Sequence, residues 1–268
     1  MRFVRFLHQE KIYYGILEGE QVQPLAGPPF TGLRPSGTPL PLATMRLLAP
    51  CEPTKIIALG LNYRDHAVEM RMALPEEPLI FLKPATAVIG PDESIVLPRQ
   101  SRRVDYEAEL AVVIGRTARK VPISQAAAYI LGYTCFNDVT ARDLQKKDGQ
   151  FTRSKSFDTF APLGPWLVPS LPEHPETVTV SALVNGERRQ HSHIGNLVFP
   201  VAHLVSFISH IMTLLPGDVI ATGTPAGVGP LRPGDVVEIN INGIGTLRNP
   251  VILDEDPGNF SPSESGQL

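Results

Sequence analysis

Three acidic residues, Asp105, Glu107 and Glu109, alternate with other side chains along residues 104–115. An extended strand places alternate side chains on one face, with same-face neighbours roughly 7 Å apart. The apolar run that follows predicts that this strand enters a core, where carboxylates cannot all ionise without a cation between them. Two hard oxygen ligands at this spacing favour a divalent metal such as Mg²⁺ or Mn²⁺. The alternative is a solvated edge face that binds nothing.

Asp138 and the pair His66 and Glu69 are further candidates for chemistry. Asp138 ends a predicted strand, where side chains commonly face a cleft, so it is a candidate third carboxylate ligand; the alternative is a turn former or a helix cap. His66 and Glu69 are three positions apart on a predicted helix and share a face. A carboxylate orients an imidazole and favours its protonated form, so the pair can pass protons near neutral pH. The alternative is a surface pair without a role.

Two lysines and a glycine-rich segment could bind anions. Lys155 lies among small hydroxyl residues and could bind a carboxylate or a developing enolate, and Lys83 is a second such group. Solvent exposure is the alternative for a single lysine. Residues 222–229 are rich in glycine, and their backbone N–H groups could hold an anion. The segment lacks the Gly-Lys-Ser/Thr of a phosphate loop, and no GxGxxG opens a long helix, so no nucleotide site is predicted.

The elements that must position these groups are mostly strands. Short apolar runs separated by turn residues predict a mostly β fold with a few helices (α+β), in a sheet-on-sheet or rolled architecture. Asn62 is a suitable N-cap for the helix that carries His66, and Ser124 is predicted to begin another helix. We expect a small N-terminal β domain and linker at 1–50, a catalytic domain at 53–253 and a disordered tail at 254–268.

Composition excludes several classes of function. The chain has 268 residues, 43% of them hydrophobic, which is enough to bury a sizeable core. Its formal charge of −3 argues against a nucleic-acid binder. The two cysteines, Cys51 and Cys135, match no metal-ligand spacing, and their small number fits a reducing cytoplasm. The N-terminus does not resemble a signal peptide, and no window is apolar enough to span a membrane, so we expect a cytoplasmic protein.

Six short motifs lie along the chain: GLNYRDH at 60–66, FLKP at 81–84, DYEAEL at 105–110, NDVTARD at 137–143, KSFD at 155–158 and TGTPAGVG at 222–229. Together they resemble the fumarylacetoacetate hydrolase family, in its acylpyruvase and 2-hydroxyhepta-2,4-diene-1,7-dioate isomerase-like branch. They occur in the order of the family, and the resemblance covers residues 53–251. Each motif alone is weak, but six in order form a specific signal.

The resemblance implies a mixed β-sandwich roll, often a homodimer, with a divalent cation at its mouth. Carried over by motif, the metal ligands are Glu107, Glu109 and Asp138, and the metal is Mg²⁺ or Mn²⁺, with Ca²⁺ also accepted by such ligands. The resemblance makes His66 and Glu69 a catalytic dyad on a mobile helix, and makes Lys155 the cation that stabilises an enolate. Predicted substrate contacts are Arg142, Gln145, Thr224, Tyr63 and Lys83.

Two predictions about neighbouring roles complete the site. Arg142 could equally hold the metal carboxylates in place. Asp105 receives no ligand role, and its expected partners are Arg102, Arg103 or Lys155.

The predicted substrate is a small 2-oxo or 1,3-diketo acid, whose adjacent oxygens can chelate the metal and stabilise an enolate. The leading hypothesis is hydrolysis of a C–C bond in acylpyruvate-like acids. The alternative is an isomerase or decarboxylase of 2-hydroxyhepta-2,4-diene-1,7-dioate-type intermediates in aromatic catabolism. A third hypothesis is a non-catalytic member that binds a keto acid or a metal.

Overall fold

The computed structural model describes residues 1–172 and 174–254, so the predicted disordered tail falls outside the described residues from 255 onward. Strands are the most abundant elements of the described chain. The strands are β1 Arg2–His8, β2 Lys11–Glu18, β3 Gln21–Leu25, β4 Leu40–Pro41, β5 Arg46–Leu48, β6 Ile56–Leu59, β7 Ile80–Lys83, β8 Val88–Ile89, β9 Ile95–Leu97, β10 Val104–Tyr106, β11 Ala108–Ile114, β12 Ile130–Asn137, β13 Thr140–Ala141, β14 Ala161–Val168, β15 Thr179–Val184, β16 Glu187–His193, β17 Val219–Ala221, β18 Gly229–Pro230, β19 Val236–Ile241 and β20 Gly245–Leu253.

The helices are short and lie between strands. Proline and glycine occur too often along the chain for long helices to form. Proline removes a helical hydrogen bond, and glycine increases the backbone entropy that folding must overcome. The α-helices are α1 Arg64–Met70, α2 Arg142–Asp148, α3 Thr152–Lys155 and α4 Val201–Ile211. Single 3₁₀ turns or short 3₁₀ helices occupy Pro29–Thr31, Leu42–Thr44, Ala85–Ala87, Ile123–Tyr129, Pro175–Thr177 and Ile194–Asn196. No helix within 1–172 and 174–254 combines the length and apolar character that crossing a bilayer requires.

Three sheets form a mixed β architecture, which confirms the predicted mostly β fold. The largest sheet has the order β4-β3-β2-β1-β14-β12-β11-β17-β6-β7, with β5 beside β1 and β8 beside β14. A second sheet has the order β16-β15-β19-β20-β9, and a third the order β13-β10-β18. Most pairs are antiparallel, but β17 runs parallel to β6, β8 to β14 and β9 to β20.

The main apolar core lies between the largest sheet and the second sheet. Leu110 and Cys135 come from the largest sheet, and Val180, Ile239 and Leu247 come from the second. All five are almost fully buried. The N-terminal strands extend the largest sheet through a single register pair, Phe3 opposite Leu167. The core therefore fixes β11 and β12, the two strands that deliver the acidic side chains.

The acidic stretch is not one strand, contrary to the sequence prediction. It is interrupted at Glu107, so that β10 belongs to the three-stranded sheet and β11 to the largest one. The Glu107 N–H donates to the side-chain oxygen of Asn137 at 2.9 Å, and the Glu107 carbonyl accepts from the N–H of Asp138 at 2.9 Å. The side chain of Asn137 thus replaces a strand partner at the break, and it brings Glu107 next to Asp138.

Two predicted helix starts are also wrong. Asn62 does not cap α1, which begins after Tyr63 without a side-chain cap. The buried Asn62 amide instead donates to the Thr222 carbonyl at 2.7 Å, and its oxygen accepts from the Phe199 N–H at 2.9 Å. The segment at Ser124 forms the 3₁₀ helix Ile123–Tyr129. Burial decides the first case, because a buried amide is stabilised only where its hydrogen bonds are satisfied.

Candidate active site

Three carboxylates meet where β11 and β12 pair. Ala108 lies opposite Asn137 in the register, so the neighbours Glu107, Glu109 and Asp138 converge. One oxygen from each lies within 4.8 Å of the others, and all three residues are buried. We call these three residues the carboxylate cluster.

Three cations surround two members of the cluster. The Lys155 ammonium, at the end of α3, donates to Glu107 Oε2 at 2.9 Å and to Asp138 Oδ2 at 2.6 Å. The buried Lys83 ammonium donates to Asp138 Oδ1 at 2.5 Å, and the Arg142 guanidinium donates to Glu107 Oε1. Burial alone would raise the pKa of Glu107, but Lys155 and Arg142 outweigh it and lower the pKa to about 2. Glu107 is therefore ionised at neutral pH.

Glu109 has a different environment. Its Oε2 accepts from the Gly223 N–H at 2.8 Å, but its buried Oε1 has no hydrogen-bond partner among the described residues. Burial, followed by the charges of Asp138 and Glu107, raises the pKa of Glu109 well above its usual range. A carboxylate oxygen buried without a donor is costly unless a cation binds it. This unpartnered oxygen, beside two other hard oxygen donors, fits a divalent cation.

Asp105 lies beside the cluster and binds two arginines next to it. It is fully buried, and it accepts from Arg103 at 2.9 and 3.2 Å and from Arg142 Nε at 2.9 Å. Arg103 was one of the three expected partners, and Arg142 was not. Arg142 thus joins Asp105 to Glu107, and holding carboxylates in place is one of the two roles predicted for it.

The imidazole of His66 and the carboxylate of Glu69 are in contact on α1. His66 Nδ1 lies 2.9 Å from Glu69 Oε2, and Glu69 Oε1 accepts from the Gly227 N–H at 3.1 Å. Gly227 and Gly223 belong to residues 222–229, the glycine-rich loop. Because Gly223 binds Glu109 and Gly227 binds Glu69, one loop contacts both the carboxylate cluster and this pair. A Cβ on Gly227 would lie 2.3 Å from the carbonyl oxygen of Arg189, so this position requires glycine.

The remaining predicted substrate contacts lie around this site with partners of their own. The Thr224 hydroxyl donates to the Ala108 carbonyl at 2.9 Å, and the Gln145 oxygen accepts from Arg142 at 2.7 Å. Tyr63 is fully buried, and its hydroxyl has no partner within the described part of the chain. Burial, and then the charge of Glu109, raises the pKa of Tyr63. Tyr63 is therefore a neutral phenol close to the cluster.

Comparison with family models decides the family. The model for the fumarylacetoacetate (FAA) hydrolase C-terminal domain matches residues 55–252. The chain belongs to the fumarylacetoacetate hydrolase family. The Rv2993c-like N-terminal model matches residues 1–50.

Several relatives share most of the chain. Protein Rv2993c of Mycobacterium tuberculosis is 46% identical over 265 residues, which are 96% of this chain and 100% of that protein. A 2,4-didehydro-3-deoxy-L-rhamnonate hydrolase of Sphingomonas sp. is 43% identical over 207 residues, 74% of this chain and 73% of the relative. The mitochondrial oxaloacetate tautomerase Fahd2a of Rattus norvegicus is 40% identical over 223 residues, 80% of this chain and 71% of the relative.

Solved structures of family members are similar over nearly the whole chain. A 5-carboxymethyl-2-hydroxymuconate delta-isomerase of Mycobacterium smegmatis has a TM-score of 0.89 at 47% identity, covering 95% of this chain and 100% of that one. A maleylpyruvate hydrolase of Sphingobium sp. SYK-6, solved with manganese(II) and pyruvate, has a TM-score of 0.81 at 32% identity with the same coverage. Family members therefore include hydrolases, isomerases and a tautomerase that share this fold.

Two polar residues of β16 belong to the site and were missed by sequence reasoning. The Gln190 oxygen accepts from the Ala108 N–H at 2.9 Å, and its amide donates to Thr224 Oγ1 at 2.9 Å and to the Pro225 carbonyl at 2.8 Å. Ser192 contacts α1, as described below. Both are buried, whereas the adjacent His191 and His193 are exposed. The hairpin pattern indicates that they share a face of the strand, but it does not indicate which buried groups they bind.

Proposed function

We propose that this protein hydrolyses a C–C bond in acylpyruvate-like 1,3-diketo acids. The supporting observation is that the glycine-rich loop binds Glu109 of the carboxylate cluster through Gly223 and binds Glu69 through Gly227. A cation-binding group and a proton-transferring pair thereby contact the same loop. That combination suits a reaction in which a carbonyl is polarised while water is deprotonated.

The carboxylate cluster would hold the metal. Glu107, Glu109 and Asp138 are hard oxygen donors that suit Mg²⁺ or Mn²⁺, with Ca²⁺ a further possibility for such ligands. The manganese(II) in the maleylpyruvate hydrolase structure supports the choice of a divalent ion. When bound, the ion would act as a Lewis acid toward the adjacent carboxylate and keto oxygens of a 2-oxo acid.

The dyad, His66 and Glu69, would move the protons. Glu69 accepts the hydrogen bond of one imidazole nitrogen, which leaves Nε2 of His66 able to take a proton from water. The water oxygen bonds to the distal carbonyl carbon of the substrate. The bond from that carbon to the neighbouring carbon on the pyruvate side then breaks, and its electron pair passes to the pyruvate enolate. The proton taken by His66 is transferred to the enolate carbon, and the new carboxylic acid releases the other proton of the water to solvent. The products are a carboxylate and pyruvate.

Lys155 would stabilise the developing negative charge. Its ammonium is buried and already bridges Glu107 and Asp138. Burial alone would lower the pKa of Lys155, but Asp138 and Glu107 outweigh it and raise the pKa, so the group stays cationic at neutral pH. A fixed buried cation stabilises charge that develops in the transition state more strongly than water does.

The other contacts that we propose surround this core. Gln145, Thr224 and Tyr63 are proposed to contact the substrate, while Arg142 and Lys83 bind carboxylates of the cluster and are proposed to act chiefly by holding them. We also propose that the protein is a homodimer, which sedimentation equilibrium would test.

The deciding experiment is a substrate panel in water labelled with ¹⁸O. Purified protein with Mg²⁺ or Mn²⁺ is incubated with acetylpyruvate, other acylpyruvates and oxaloacetate, and products are identified by mass. We expect acylpyruvate cleavage with one solvent oxygen in the new carboxylate. Metal-loaded protein that leaves every acylpyruvate intact would contradict the proposal.

A second candidate function is proton transfer without cleavage of a C–C bond, as in a tautomerase or an isomerase. It is supported by the relatives at 40% and 47% identity, the oxaloacetate tautomerase and the delta-isomerase. The dyad would then move a proton between carbon and oxygen. The same panel in water labelled with both deuterium and ¹⁸O separates the two candidates. Tautomerisation incorporates deuterium at carbon without adding ¹⁸O to a carboxylate, whereas hydrolysis adds ¹⁸O.

A further inference from the structure

Asp65 and Ser192 form a contact between α1 and the second sheet. The Ser192 hydroxyl, on β16, donates to Asp65 Oδ2 at 2.5 Å. The other oxygen of Asp65 accepts from the N–H of His66 at 2.7 Å. Ser192 in turn accepts from the side-chain amide of Asn196 at 2.9 Å. A continuous chain of hydrogen bonds therefore runs from the 3₁₀ helix Ile194–Asn196 to the backbone of His66.

The helix α1 needs such tethers because it is short and exposed. It has seven residues, and a helix of that length is not stable by itself in water. Its only described buried residue is Ala67, while Val68 and Met70 are exposed. Apolar packing therefore holds α1 weakly. Polar contacts at both of its ends must supply much of what fixes its position.

The two tethers differ in strength. At the C-terminal end, Glu69 accepts from the Gly227 N–H at 3.1 Å, and the Glu69 side chain is 38% exposed. At the N-terminal end, the Ser192 hydroxyl is 2.5 Å from the Asp65 carboxylate, and Ser192 is 6% exposed. A short, charge-assisted bond shielded from water is the stronger of the two.

We propose that Asp65 and Ser192 are positioning residues, which hold α1 with His66 and Glu69 in place beside the glycine-rich loop. This inference rests on the proposed function, since it concerns how the dyad reaches the substrate. The bond from the His66 N–H to Asp65 fixes the backbone from which the imidazole projects. Small displacements of a catalytic group lower the rate by large factors, so loss of the hydrogen bond between Ser192 and Asp65 should lower kcat.

The test compares Ser192→Ala, Ser192→Thr and Asp65→Asn with the matched control Ser181→Ala. Ser181 is a suitable control for the same substitution, because it also lies in the second sheet and is 7% exposed. Its hydroxyl contacts His191 rather than α1. Two quantities are measured. The first is hydrogen–deuterium exchange of the amides of residues 64–70, and the second is kcat and KM for Mg²⁺-dependent acetylpyruvate cleavage, with Mg²⁺ affinity measured alongside.

We expect Ser192→Ala to speed exchange in residues 64–70 and to lower kcat roughly tenfold or more, with KM and Mg²⁺ affinity within about twofold. Ser192→Thr should restore both quantities, Asp65→Asn should behave as an intermediate case, and Ser181→Ala should change neither. A kcat within twofold of wild type for Ser192→Ala would overturn the proposal, as would unchanged exchange. If wild-type protein does not cleave acetylpyruvate, the proposed function fails, while the exchange measurement still decides whether the anchor holds α1.

Discussion

The carboxylate cluster and the dyad contact the same glycine-rich loop, but one lies in the core and the other on a short surface helix. Glu109 and Asp138 are fully buried, on or directly after strands whose register is fixed by the main core. Glu69 lies on α1 with more than a third of its side chain exposed. The first region is held by strand pairing and ion pairs, and the second by a few hydrogen bonds.

This difference separates two steps of the proposed reaction. Carboxylates that are buried at paired strands are preorganised, so a bound cation would meet ligands that are already in place. A short helix held by a few polar contacts is fixed less firmly than paired strands, since weakly packed segments are the first to open locally. We therefore expect substitutions in the cluster to act on metal affinity, and substitutions on α1 to act on turnover with metal affinity retained.

The largest effect is expected for His66→Gln. Glutamine keeps a donor toward Glu69 but cannot act as a base at neutral pH, so kcat for acetylpyruvate should fall by roughly 10²- to 10⁴-fold. Mg²⁺ affinity measured by calorimetry should stay within about twofold, because the His66 imidazole binds Glu69 and no hydrogen bond or ion pair within the described residues joins it to the cluster. His191→Gln is the matched control, since His191 contacts Ser181 in the second sheet. Equal losses in metal affinity and kcat would contradict the separation.

The next effect is expected for Glu109→Gln. Substituting an outer partner of a metal ligand typically costs 10- to 100-fold in affinity, so substituting a ligand itself should cost at least about a hundredfold for Mg²⁺. The metal-free protein should not be destabilised, because burial and the charges of Asp138 and Glu107 already disfavour the ionised form of Glu109, and the substitution puts a neutral group of the same shape there.

Thermal unfolding with and without Mg²⁺ checks both halves of this prediction. Wild-type protein should unfold at a higher temperature with the ion, and Glu109→Gln should not. Glu238→Gln, on β19, is a control that should retain the shift. Mg²⁺ binding by Glu109→Gln as tight as that of wild type would refute the ligand assignment.

A smaller effect is expected for Asp105→Asn. The substitution removes the negative charge of Asp105, one of the two carboxylates that Arg142 binds. Arg142 should then bind the other one, Glu107, more tightly and compete with the metal. We expect Mg²⁺ affinity to fall about tenfold and the free energy of unfolding to fall by about 2 kcal/mol. Titration calorimetry and urea unfolding measure these two quantities.

Arg103→Gln is the control for this substitution. The Arg103 side chain is 49% exposed, and an exposed ion pair contributes about 1 kcal/mol or less. If Arg103→Gln reproduces the full effect of Asp105→Asn, then the exposed pair and not Arg142 accounts for the role of Asp105.

The parts of the site that lie on regular strands could be predicted from the sequence. Alternation along residues 104–115 indicated that Glu107 and Glu109 share a face, although only Glu109 lies on a strand. Strand ends with turn residues indicated the mostly β class. The structure brings Asp138 to the same point through the pairing of β11 with β12. The break at Glu107 could not be predicted, because it depends on the side chain of Asn137, thirty positions away and adjacent only after pairing.

The parts that depend on long-range polar contacts were beyond sequence reasoning. Asn62 has the residue type of a helix cap, but its hydrogen bonds go to Thr222 and Phe199, well over a hundred positions away. Gln190 and Ser192 lie on the inward face of a hairpin strand, where a polar residue is meaningful only once its partners are known. Local pattern predicts elements, but it does not identify which buried polar groups satisfy one another.

The smallest effect is expected for Val68→Ala, which tests the surface side of the comparison. Val68 is 78% exposed on α1, and alanine has the better helix propensity, by roughly 0.5 kcal/mol. The free energy of unfolding should therefore stay within about 0.5 kcal/mol of wild type, and kcat should be unchanged. The same substitution at Val112, which is fully buried in β11, should cost about 2 kcal/mol because it removes two buried methyl groups and leaves a cavity. Urea unfolding of both variants decides the comparison: equal losses would mean that the outer face of α1 is packed against something in solution, and the contrast between a core-held cluster and a tethered helix would not hold.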